Sequence, residues 1–259
     1  KESADLIAKV VANASDELVN KVVEEVSKNS TDENQALSAK VMKSIVETNP
    51  DKIESLSDQN KNTMISQTIE AAKNQAEGTS ADEIDLSNTI AEIVTKSDTA
   101  TAAEVLKTLE EVSNESESKL SLSVVSNITK QENYEEKMEI LSVTSPIVEQ
   151  SINKLVEKAV ENATSEEDLD SVTNIVENSK GTIADKVINS ANKNEENIKK
   201  ITEVIVNIIE KNPEKALKII EKNKNTNTVI EAIKSKIENK ESVTAKDFEE
   251  VFTTNVSPN

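Results

Sequence analysis

Aliphatic side chains recur along this chain at i, i+1, i+4 and i+5, first as Leu6, Ile7, Val10, Val11 and then as Leu18, Val19, Val22, Val23, Val26. At 3.6 residues per turn such positions share one face, so the spacing predicts two amphipathic helices between Ser3 and Ser27. Ser15, followed by Asp16 and Glu17, is placed to cap the second. A third helix is expected from Thr31-Asp32-Glu33 through Leu37, Val41, Met42 and Ile45 to a joint at Asn49-Pro50, and a fourth from that joint to about Leu56.

The joint in Lys43–Leu56 recurs. Ile45-Val46-Glu47-Thr48-Asn49-Pro50-Asp51-Lys52 is matched almost type for type by Ile208-Ile209-Glu210-Lys211-Asn212-Pro213-Glu214-Lys215. In both, Asn serves as a cap, Pro occupies the first helical position and an acid the first turn. Asn13-Ala14-Ser15-Asp16-Glu17 is echoed by Asn162-Ala163-Thr164-Ser165-Glu166-Glu167.

The same reading continues through Met64, Ile65, Ile69 and Ala72 to a stop at Gly78, which with Gly181 makes up the entire glycine content. Capping boxes are expected at Ser80-Ala81-Asp82-Glu83 and Thr101-Ala102-Ala103-Glu104. Further helices follow over Ser118–Ile128, over Glu132–Val143 with Tyr134, Met138, Ile140 and Leu141 as its apolar positions, from Pro146, after Asn162, around Ile183, over Ile201–Ile209, after Pro213, and around Ile233. The last starts at Thr244 and carries Phe248, Val251 and Phe252. The alternation Leu120, Leu122, Val124 has the look of a strand, but no partner strand exists elsewhere, so it is read as helix.

About fifteen helices joined by short turns give helix pairs repeating at roughly 30–40 residues. The fold class is therefore all-α: an array of short antiparallel helices, either an irregular α-solenoid or an irregular multi-helix bundle. The expected organisation is a helical repeat domain over 1–252, with a sub-boundary near 77–81, and a flexible tail at 253–259.

Composition then narrows the chemistry. Phe248, Phe252 and Tyr134 are the only aromatic residues in 259, so burial must come from Ile, Val, Leu and Ala. The net charge is −19, all basic side chains are Lys, and there is no Cys and no His. Acidity repels phosphate backbones and anionic lipid surfaces, and without Arg no bidentate fork is available, so neither nucleic acid nor an anionic membrane is an expected partner. Without Cys and His, disulfides, thiolate nucleophiles, zinc sites and the commonest general base are all removed. No apolar run reaches the ~20 residues of a membrane span, and no signal peptide is apparent. The opening Lys1-Glu2-Ser3 lacks an initiator Met, as a processed protein or an excised fragment would.

Two acidic clusters, Glu166-Glu167-Asp168-Asp170 and Glu132-Glu135-Glu136-Glu139, have oxygen ligands but lack the glycine and spacing of a calcium loop. The first suits a helix start; the second, interleaved with Lys137, suits a solvated face. No catalytic residue, cofactor or metal site is expected, and the chain reads as a non-enzyme. Asn13, Asn29, Asn114, Asn127, Asn162 and Asn255 each open an Asn-x-Ser/Thr triplet, about as many as such a composition gives by chance. Phe248 and Phe252, at i, i+4, are either an anchor pair for a partner helix or the cap of a core.

A cysteine-free, acidic, Lys/Glu/Ser-rich helical chain resembles the acidic core of one of the microsporidian polar tube proteins, and is similar to helical repeat segments of giant bacterial surface proteins. Either resemblance implies a non-enzymatic structural role at the cell surface or outside the cell. The expected function is thus a structural or scaffolding protein working through protein–protein contacts, including self-association into a tube, coat, filament or lattice. The alternative is a solenoid module that recognises a basic protein or peptide.

Overall fold

A computed structural model describes residues 6–7, 10–11, 14–28, 31–78, 85–114, 119–179, 182–222, 227–239, 243–244, 246 and 248. Among them are thirteen α-helices and no strand. They are α1 (Asp16–Val26), α2 (Asp32–Thr48), α3 (Asp58–Ala76), α4 (Leu86–Lys96), α5 (Thr99–Asn114), α6 (Leu120–Ile128) and α7 (Tyr134–Thr144). Then follow α8 (Pro146–Glu161), α9 (Glu166–Asn178), α10 (Thr182–Asn189), α11 (Glu195–Lys211), α12 (Pro213–Lys222) and α13 (Asn227–Glu238). Leu6, Ile7, Val10 and Val11 are helical as well.

The helix starts are set by short polar side chains that take up otherwise unpaired backbone N–H groups. Thr31 accepts from the Asn34 N–H, Ser57 from Asn60, Asp85 from Asn88 and Asn194 from Asn197. Ser165 and Asp168 form a reciprocal capping box, which gives the acidic cluster after Asn162 its role. Ser15 sits at the N-cap of α1 without a side-chain hydrogen bond.

Three expectations are corrected. Pro50–Ile53 is a single 3-10 turn, not a fourth helix, because Ser57 is already extended to cap α3 and leaves no length for one. Thr101 lies inside α5, whose first turn is capped instead by Asp98, with the Thr101 N–H donating to Asp98 Oδ1 at 2.6 Å. Leu6, Val10, Leu18 and Ile140, assigned to buried stripes, are exposed, while Val11, Val19, Val23, Met138 and Leu141 are buried. Gly78 does stop α3, at φ +72, a left-handed conformation that favours glycine. Gly181, the box at 80–83 and the tail lie outside the described residues.

The chain divides into two compact units, Lys1–Lys158 and Ala159–Asn259. The stretch near 77–81 falls inside the first, where α3 and α4 pack on each other. In this unit each helix from α1 to α5 packs against the next and the next but one: α1 on α3, α2 on α4, α3 on α5, α4 on α6, α5 on α7. In the second unit α9 packs on α10 and α11, and α11 on α12 and α13. Both cores are aliphatic, with Ile45, Ile65, Ile90 and Leu109 fully buried in the first and Ile201, Ile205, Ile208 and Ile233 in the second.

Candidate functional site

The most organised polar chemistry in the molecule is a set of bridges between helices some 40 residues apart. Lys52, in the turn after Pro50, donates from Nζ to the carbonyl of Ala14. Lys215, at the matching position after Pro213, donates to the carbonyl of Glu177 near the end of α9. Both links span 38 residues. Lys137 on α7 does the same to the carbonyl of Ser97, the C-cap of α4, and Lys200 on α11 to those of Val160 (3.3 Å) and Glu161 (2.6 Å) at the end of α8. At Ser97, Glu177, Val160 and Glu161 the ammonium takes up carbonyls that a helix C-terminus leaves without intrahelical partners, at the negative pole of that helix; at Ala14 it takes up a carbonyl just before the α1 cap.

Amides complete the pattern. Asn20 on α1 donates to the Ser55 carbonyl at 2.9 Å and accepts from the Ser57 N–H at 2.8 Å, fixing α1 to the start of α3. Gln67, buried in α3, donates to the Ser27 carbonyl at 3.0 Å and accepts from the Ser38 hydroxyl. Asn127 on α6 donates to Ser87 Oγ at 2.8 Å, and Gln131 to Asn88 Oδ1 at 3.0 Å. Asn127 is buried and engaged through Nδ2, so as folded it offers no acceptor for a glycan.

One bridge carries shifted titrations. Burial pushes the Lys137 ammonium below its ordinary value, against the opposing pull of Asp98 and Glu54. At Asp98, burial pushes the carboxyl up, but the Thr101 N–H and the ammoniums of Lys61 and Lys137 outweigh it and leave it below the usual carboxylate range. The Thr101 hydroxyl lies near the same carboxylate without hydrogen-bond geometry.

Phe248 is 2% exposed, at φ +47, so it packs inside the second unit and does not stand out as an anchor; Phe252 lies outside the described residues. Asp168 is spent on the α9 cap. Among the described residues no three acidic side chains gather where a metal ion could sit. In the other cluster, Lys137 does not face the acids it follows in sequence but turns inward to Ser97. Sequence reasoning passed over Lys52 and Lys215, although a lysine in the first turn after a cap opposes the helix dipole and so signals another target. The buried amides carry no comparable signal in a chain this rich in Asn and Ser.

These features define an all-α protein of successive short helices, tied by polar bridges to helices about 40 residues away. No protein-family model, no curated protein and no solved structure matches the chain. No helix among the described residues is long and apolar enough to cross a membrane.

Proposed function

We propose that this chain is a non-enzymatic helical-repeat scaffold, a component of a larger assembly that acts through protein–protein contacts. The observation that carries the reading is the constancy of the bridge span: 38 residues from Lys52 to Ala14 and from Lys215 to Glu177, 40 from Lys137 to Ser97 and from Lys200 to Val160. A constant span is what tandem units stacked on their neighbours produce, and it supports a solenoid over a bundle. Solenoids present continuous surfaces to other proteins. The compositional resemblance adds a cell-surface or extracellular setting.

Light scattering after size-exclusion chromatography, over a range of concentrations, tests the assembly together with negative-stain imaging. Oligomers, filaments or sheets are the expected result. A strict monomer at every concentration, with no ordered particle larger than one chain, would refute self-assembly.

A second reading, recognition of a basic partner, is favoured by one surface feature: Glu132, Glu136 and Glu139 are exposed and have no ion-pair partner among the described residues, since Lys137 is engaged elsewhere. Pull-down with basic and acidic bait peptides separates it from non-specific adhesion.

A further inference from the structure

The large apolar side chains that stay exposed among the described residues form two groups, Leu6, Val10, Leu18 near the start and Ile140, Val143, Ile147 at the α7–α8 joint. The second is the more exposed, at 42%, 80% and 65%. On α7 the exposed positions are Glu136, Glu139, Ile140, Val143 and Thr144, whose three- and four-residue spacing makes one helical face. Tyr134, Met138 and Leu141 line the opposite, buried face. Ser145, extended at φ −155 and ψ 133, then turns the chain into α8, where Pro146 and Ile147 are exposed.

This face is acidic at one end and apolar at the other. Its carboxylates do not have Lys137, their neighbour in sequence, as a counter-charge, because that ammonium is held by the Ser97 carbonyl. A second copy of the chain is a poor occupant: it brings a net charge of −19, and Asp16 and Glu17 flank its own exposed Leu18. A cationic helix suits both ends. We propose that the exposed face of α7 docks a basic amphipathic helix of a partner protein, with apolar side chains spaced i, i+3 or i+4, i+7 on Ile140 and Val143, and on Ile147 just past the joint, and Lys or Arg beside Glu136 and Glu139. The proposal rests on the reading that the chain works through protein contacts, and gives that reading a place and a partner chemistry.

The test uses the full chain and a synthetic helical peptide with leucines at i, i+3, i+4, i+7 and lysines elsewhere. A control peptide replaces every lysine with glutamate. Binding is followed by calorimetry and by methyl NMR of Ile140, Val143 and Ile147. Saturable one-to-one binding of the lysine peptide is expected, with shifts concentrated at these three methyl groups and weaker affinity at higher salt. Val143→Ser, and separately the pair E136K with E139K, should each weaken it about tenfold or more while circular dichroism stays unchanged. Absence of saturable binding overturns the proposal, as does equal affinity for the glutamate peptide or for either variant. Should Val143→Ser instead abolish self-association, the face belongs to a second copy: the basic-partner proposal is overturned and the scaffold reading survives.

Discussion

Replacing Lys52 with Met keeps most of the aliphatic stem and deletes the charge and its donors, which isolates the bridge from the packing beneath it. The Lys52 side chain is 13% exposed, and its ammonium caps the Ala14 carbonyl and lies 3.9 Å from Asp16 Oδ1. A hydrogen bond from a charged donor contributes about 1.5–3 kcal/mol. Asp16 is itself 66% exposed, so the ion pair adds little. Against this, Met is spared the cost of desolvating an ammonium. The net expectation is a loss of about 1–2 kcal/mol, or roughly 5–30-fold in the local opening equilibrium. Because a chain of two compact units need not unfold in one step, hydrogen exchange of residues 14–26 and 50–60 is the deciding assay, supported by urea unfolding. Lys21→Met is the control. Lys21 is 67% exposed and, among the described residues, pairs only with Glu17 on its own helix, so its removal should change stability by less than about 0.5 kcal/mol. If exchange around Ala14 is the same in the two variants, the bridge contributes nothing and the repeat argument loses its physical basis. Lys215→Met should reproduce the Lys52 effect around Glu177.

Gln67→Leu should cost about 1–3 kcal/mol in urea unfolding, since it strands the Ser27 carbonyl and the Ser38 hydroxyl. Adding Ser38→Ala should recover part of that loss, as removing both partners costs less than removing one. Ile45 is 0% exposed, so Ile45→Asp should melt α2, by about 4 kcal/mol or more, whereas Pro50→Ala, in a surface turn, should stay within about 1 kcal/mol. Equal thermal melts for those two would show that the joint and not the stripe holds the segment. The Asp98 carboxyl titrates below its ordinary 3.8 in the folded chain, so its stabilising contribution is complete above the unfolded value and is lost as pH falls through the folded one. Asp98→Asn still offers an oxygen to the Thr101 N–H, so its deficit against wild type in urea should be visible near neutrality and vanish at low pH; a deficit independent of pH would refute the charge argument.

Most helices were legible because their signals are local. Thr31 announces its helix by a capping side chain three residues from the N–H it serves, and the acids from Glu166 mark the start of α9 by the charge a helix N-terminus favours. The false box at Thr101 shows the limit: Asp98, three residues earlier, reaches the same N–H group first, and local pattern does not rank two competent caps. At Ile140 the error was one of period. The stripe Tyr134, Met138, Leu141 runs i, i+4, i+7, and Ile140 falls off it beside Glu136 and Val143. That departure was readable in the sequence, and it marks the exposed face. The amide bridges were not readable, because pairing Asn127 with Ser87 or Gln67 with Ser27 depends on which helices pack and in what register.

Register is where composition and bridges meet. A core of Ile, Val, Leu and Ala with almost no aromatic residues offers many interchangeable contacts, and a helix slid by one turn along such a stripe buries nearly the same surface. Hydrophobic burial alone therefore drives these helices together without choosing among offsets. A buried Gln67 or a half-buried Lys137 does choose, because at any other offset it would lose the carbonyl that compensates its desolvation. Read this way, the polar links spaced 38–40 residues apart are selective more than they are stabilising. The distinction is measurable: substituting a bridge with an apolar residue of similar shape should broaden the methyl resonances of the packed helices through exchange between registers by more than it lowers the unfolding free energy. A variant with sharp spectra and a large stability loss would make the bridges ordinary contributors to stability, and the choice of register would have to lie in the shapes of the aliphatic side chains themselves.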